Sequence, residues 1–188
     1  PPLDISKAWL RTTLKYQRQL YCCLFSTDGQ FVFAGTQDGK IVRWSLAEPP
    51  AAPPGDKPAD KAGDKKPVKP PEPDSVLMEG HATWVSRLLI TPDGSRLISS
   101  DLHGTLIAWD LAAVAADLTQ APKPAWTISD AHPSKPGHPG WIRALAVTGD
   151  GKTLLTAGTD GIIRRWSTAD GKPTGTLEGH AGDIFSLA

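Results

Sequence analysis

Apolar and polar positions alternate along this chain in short runs, and the runs come in threes. Ile142–Val147, Thr153–Ala157 and Ile162–Trp166 each carry the period-2 pattern of a half-buried strand. Asp150-Gly151 and Asp160-Gly161 separate them. Strand-length runs joined by Asp-Gly pairs predict a β-meander, because tight hairpin turns need positive φ and glycine adopts it without steric cost. The whole stretch His138–Trp166 recurs. Moved back 57 positions it lies without a gap on His81–Trp109, and moved back 65 more it lies on Tyr16–Trp44.

The three copies can be aligned position by position. Leu20, Cys23 and Phe25 correspond to Val85, Leu88 and Ile90, and to Ile142, Leu145 and Val147. The one-residue offset at the start of this strand, three residues instead of two between the first pair, predicts a β-bulge there. Asp28-Gly29, Asp93-Gly94 and Asp150-Gly151 make the first turn. Asp38-Gly39, His103-Gly104 and Asp160-Gly161 make the second. A fourth strand is predicted at Ser75–Glu79, Pro124–Ser129 and Thr174–Leu177. From His138 to His180 the repeat runs 42 residues. The longer spacings are that unit with insertions at one equivalent place, so both insertions are expected to leave the same face.

The units are therefore 15–79, 80–136 and 137–178, with 179–188 opening a further one and 1–14 ending an earlier one. The insertion at 47–74 holds nine prolines, alternating Asp and Lys and one large apolar residue, Val68. Such a segment cannot bury enough apolar surface to offset its ordering entropy, so a disordered loop is expected. The insertion at 111–123 is Ala-rich and predicts a turn or two of helix.

A four-stranded unit of ~40–45 residues with Gly-His near its start and Trp-Asp at its end resembles the WD40 repeat of β-propellers. The residues that carry this are Gly80-His81 with Trp109-Asp110, Gly137-His138 with Trp166-Ser167, and Gly179-His180. The first unit has Trp44-Ser45 but Lys15-Tyr16 in place of Gly-His. The resemblance implies an all-β fold of four-stranded antiparallel blades. Three blades do not close a ring, since propellers have ~4–8. The remaining blades are expected from the rest of a longer chain or from other copies.

The resemblance also implies a hydrogen-bonded His–Ser/Thr–Asp–Trp chain within a blade. Carried over, His138, Thr156, Asp160 and Trp166 form a full set in the third unit. The second has His81, Ser99 and Trp109, with His103 replacing the Asp. The first has only Asp38 and Trp44, with Tyr16 and Ala34 in the other places. On this reading the third blade is the most rigid and the first the least. The binding face implied is the one carrying the turns between second and third strands. Its candidates are Gln37, Leu102 and Thr159 before the turn, Tyr21, Arg143 and Phe185 at the bulge, and Trp84 and Trp141 beside it. Trp, Tyr and Arg dominate interface energetics. Padding between blades is the competing role for the Trp side chains.

Composition narrows the function. The 20 basic and 20 acidic side chains cancel, which supplies no electrostatic case for nucleic acid or an anionic membrane. No apolar run approaches the ~18 residues of a membrane span. Cys22 and Cys23 are adjacent, so free thiols, a reducing compartment and a cytoplasmic location are expected. The first residues are Pro1-Pro2, which leaves a processed or missing N-terminus open. Ala146–Thr153 fits a relaxed phosphate-loop pattern, but a strand follows it where a helix is needed. Asp130, His132 and His138 match no zinc spacing. No Ser-His-Asp set stands out. The expectation is a protein that is not an enzyme, without cofactor or metal, serving as an interaction scaffold for a protein or peptide. The alternative is a regulatory or targeting propeller of a larger enzyme.

Overall fold

The computed structural model describes residues 13–46, 74–111, 121–133 and 140–188. The expectations placed on 1–14, 47–74 and 111–123 lie almost wholly outside these residues, and so does His138. Twelve strands occur among the described residues. They are β1 (Leu20–Phe25), β2 (Phe31–Thr36), β3 (Lys40–Ser45), β4 (Ser75–Glu79), β5 (Val85–Ile90), β6 (Arg96–Asp101), β7 (Leu106–Asp110), β8 (Pro124–Ile128), β9 (Ile142–Val147), β10 (Thr153–Gly158), β11 (Ile163–Ser167) and β12 (Pro173–Leu177). They form three four-stranded sheets, β1 to β4, β5 to β8 and β9 to β12, each in sequence order. Every neighbouring pair is antiparallel.

Each sheet is a blade, and the blades pack face to face. Phe33 and Ile41 of the first blade meet Val85, Leu97, Ile107 and Trp109 of the second. Ile98, Leu106 and Ala108 of the second meet Ile142, Leu154 and Trp166 of the third. Leu97 and Ile98 are adjacent in β6, point to opposite faces, and are both fully buried. The central blade is thus covered on both sides, so β6 is buried almost from end to end instead of alternating. Each such side chain contributes roughly 1.5–3 kcal/mol by leaving water.

The inner strands β1, β5 and β9 lie side by side along the blade junctions. All three carry an irregularity in register, at Leu20/Cys22, at Val85/Arg87, and opposite Ala157/Gly158. The bulge expected in the first strand of the repeat is thus present in every blade. It leaves Tyr21, Ser86 and Arg143 outside the regular pairing. Ser86 turns inward, its hydroxyl 3.3 Å from the Ile142 carbonyl of the next inner strand.

A second device joins the blades. The turn between second and third strands of one blade abuts the loop that enters the next. A Cβ placed on Gly39, Gly104 or Gly161 would come within 2.5, 2.6 and 2.8 Å of the carbonyl oxygens of His81, His132 and His180 respectively. Gly104 also has φ of 79°, so both its conformation and its surroundings demand glycine.

Candidate interaction rim and its buried supports

Behind the turns lies a chain of buried polar groups. In the second blade Trp109 Nε1 donates to Ser99 Oγ at 2.9 Å. His81 Nε2 lies 2.6 Å from the same oxygen, and His81 Nδ1 lies 3.2 Å from Asp101 Oδ2. An indole N–H can only donate, so the hydroxyl accepts it and donates its own proton onward to Nε2. Nδ1 then carries the imidazole proton and donates to the carboxylate. The other oxygen of Asp101 accepts the backbone amides of His103 and Thr105, both at 2.9 Å. Burial alone would raise the Asp101 pKa. The His81 and amide hydrogen bonds outweigh it and leave the group below the ordinary carboxylate value.

The third blade repeats this with one substitution of partner. Trp166 Nε1 donates to Thr156 Oγ1 at 2.9 Å. The imidazole on that hydroxyl is His132, with Nε2 at 2.8 Å and Nδ1 3.1 Å from Asp160 Oδ1. Arg164 completes the set by donating to Asp160 Oδ2. Its Nη1 also comes within 2.9 Å of His132 Nδ1, where both atoms are donors and Asp160 accepts from each. Burial first, and the Arg164 charge second, push the His132 pKa down to about 4. Burial opposes ionisation of Asp160, but Arg164 and His132 hold its pKa below the ordinary value.

Two assignments from sequence are corrected here. The place given to His138 belongs to His132, six residues earlier, because the loop entering β9 is longer than its counterparts. His132 stands four residues past the end of β8, as His81 and His180 stand two and three past β4 and β12. That short reach from the fourth strand was the usable signal. In the second blade His103 does not break the chain. The carboxylate comes from Asp101 instead, two positions upstream, so the second blade is complete as well as the third. In the first blade Asp38 accepts from Thr36 Oγ1 at 2.6 Å and from Tyr16 at 3.1 Å. Trp44 is buried there against Val32, Val42, Leu14 and Leu46, with Ala34 where the hydroxyl would stand.

The rim sits above these supports, at the bulges. The Tyr21 ring stacks on Trp84 of the next blade at 4.9 Å and 15°, and the two are 40% and 39% exposed. The Arg143 guanidinium lies over Trp141 at 5.2 Å and over Phe185 at 4.9 Å. Its Nε is 3.3 Å from Asp183 Oδ2, an ion pair without hydrogen-bond alignment. Arg87, not singled out in the sequence, donates from Nε to the Arg143 carbonyl at 2.6 Å and from Nη1 to the Ser86 carbonyl at 2.8 Å. Gln37 and Leu102 are half-buried. Thr159 is buried, not exposed as its place before the turn suggested. The segment after His180 crosses that turn, with Ile184 N donating to the Gly158 carbonyl at 2.9 Å. Among the described residues no group of three or more His, Cys, Asp or Glu could hold a metal ion.

Blades of four antiparallel strands, each tied to the next by glycine turns and two of them by a Trp–hydroxyl–His–Asp relay, define a part of a repeat propeller. The chain belongs to the WD40 family: the model described as WD domain, G-beta repeat matches residues 10–45, 73–110 and 132–167. The third match begins at His132. Human U3 small nucleolar RNA-interacting protein 2 is 25% identical over 119 residues, covering 63% of this chain and 24% of that protein. Human WD repeat-containing protein 86 is 49% identical over 43 residues, or 23% of this chain and 11% of that protein. Among solved structures, the RRP9 WD40 repeats align with a TM-score of 0.63 at 18% identity, over 92% of this chain and 42% of that one. A chain of the mitotic checkpoint complex aligns with 0.62 at 18% identity, over 93% and 41%. The chain spans about a quarter or less of the length of these sequence relatives, and the structural likeness concerns the fold alone.

Proposed function

We propose that this WD40 module is a non-catalytic interaction scaffold that takes a protein or peptide on the rim marked by Tyr21, Trp84, Trp141, Arg143 and Phe185. The observation that carries this is the Tyr21–Trp84 stack: two large aromatic rings, each about two-fifths exposed, fixed across a blade junction. Rigid aromatic side chains supply contact area at low entropic cost and recur as anchors of interfaces. Padding accounts for the half-buried Trp141 better than for Trp84 or Phe185, whose outer surfaces face water.

One relative is named for interaction with a small nucleolar RNA, so a partner containing RNA is the competing reading. The balanced charge argues against it. Attachment to a larger enzyme, as its regulatory propeller, is compatible with either and concerns sequence beyond this stretch.

Affinity capture with the full-length protein tests the rim. Trp84→Ala and Phe185→Ala are expected to lose a partner that the parent protein retains, with the melting temperature little changed. Nuclease treatment before capture separates protein from RNA. Identical partners for parent and variants would refute the rim as the binding face, and capture abolished by nuclease would favour RNA.

A further inference from the structure

Two guanidinium groups at the rim are held more firmly than surface arginines usually are. Arg143 is flanked by the Trp141 and Phe185 rings, with centroids at 5.2 and 4.9 Å, and its Nε faces Asp183. Stacking covers the faces of the ion and leaves the outer Nη edge as its route to a ligand. Arg87 is fixed through Nε and Nη1 on two backbone carbonyls, one of them that of Arg143 itself. Its Nη2 has no hydrogen-bond partner among the described residues. Both cations are therefore pre-oriented on adjacent inner strands, and Arg87 remains exposed. An arginine already locked in one rotamer loses less entropy when it forms a bond, and its planar fork matches a carboxylate.

We propose that Arg87 and Arg143 form a paired site for the carboxylate side chains of an acidic segment in a partner protein, with Trp84 and Phe185 covering its apolar residues. This rests on the reading of the rim as a protein-binding face and names the partner's chemistry. The alternative anion is a nucleic-acid backbone. That requires a stripe of cations following successive phosphates. Here Asp183 already sits against one of the two arginines. A pair beside exposed aromatic rings suits a carboxylate next to an apolar side chain.

The test is fluorescence anisotropy on the full chain with three labelled probes: a peptide of Glu-Phe-Asp-Gly repeats, its Gln-Phe-Asn-Gly analogue, and a single-stranded oligouridine. The acidic peptide is expected to bind at least about tenfold more tightly than its neutral analogue and than the RNA. Arg87→Gln and Arg143→Gln are each expected to weaken it about tenfold, and Arg143→Lys by less, since charge is kept and the fork is lost. Thermal melts of the variants establish that they fold. Should Arg143→Gln unfold the rim, Arg87→Gln still decides, because its side chain lies outside the Trp141–Phe185 stack. Equal binding of the two peptides, no binding, tighter RNA binding, or indifference to both substitutions would overturn the proposal. Partner capture that still depends on Trp84 would, in that event, leave the rim itself standing.

Discussion

Replacing His132 with alanine separates the relay seen in the structure from the one the repeat spacing suggests. His132 is fully buried and bridges Thr156 Oγ1 and Asp160 Oδ1. Asp160 would keep Arg164 and the Ile162 amide. The loss therefore falls mainly on Thr156, whose hydroxyl still accepts from Trp166 but would have nowhere to donate. Stranding a buried polar group costs about 1–3 kcal/mol. The space vacated by the imidazole adds a cavity term of about 24 cal/mol per Å3. Together these give about 3 kcal/mol, or a fall of roughly 6–12 °C in melting temperature for a chain of this size. His138→Ala should stay within about 0.5 kcal/mol of the parent, since the relay position is already filled. Thermal and urea unfolding followed by circular dichroism would measure both. Proton exchange at the Trp166 indole N–H should also quicken in His132→Ala only. Equal destabilisation by the two substitutions, or a larger effect at His138, would refute the assignment.

Three further outcomes are expected. The His132 pKa is lower in the fold, about 4, than the ordinary 6.5, so the unfolded chain binds more protons between those values. Stability should be fully present above about pH 6.5 and fall towards pH 4, by up to about 3 kcal/mol; urea midpoints in that window should flatten in His132→Gln, and an unchanged slope would count against it. Gly104→Val would place a branched side chain at φ of 79° and a Cβ 2.6 Å from the His132 carbonyl. It should cost more than about 2 kcal/mol in urea unfolding, and near-parent stability would show that this junction yields. Burial pushes the Cys22 thiol up to about 11, while Cys23 is exposed. A disulfide-exchange reagent should therefore titrate Cys23 in the folded protein and both thiols only after denaturation, and rapid reaction of both in the native state would contradict the packing of Cys22.

The sequence by itself determined the blade. Alternation along Ile142–Val147 and the Asp150-Gly151 and Asp160-Gly161 turns specify strands and hairpins through neighbours a few residues apart, and the strands lie within a residue or so of their predicted bounds. Repetition then specified that three such blades stack, because each leaves a sheet face that only another can cover. The relay was legible in part. Ser99, Thr156, Trp109 and Trp166 lie on regular strands, where register fixes position. The histidine comes from a loop, where chain length varies without altering the spatial place, and the carboxylate from the end of a strand, as Asp101, or from the turn beyond it, as Asp160. His138 has the right distance in sequence to Trp141, but His132 has the right distance in space to Thr156. Likewise Asp101 reaches the imidazole from two residues before the expected turn position. The rim is the extreme case. That Arg143 lies between Trp141 and Phe185, that Arg87 is fixed on two carbonyls, and that Thr159 is covered are all consequences of one blade meeting the next. Contacts between segments far apart in the chain leave no periodic trace in it, so only the packed blades could decide them.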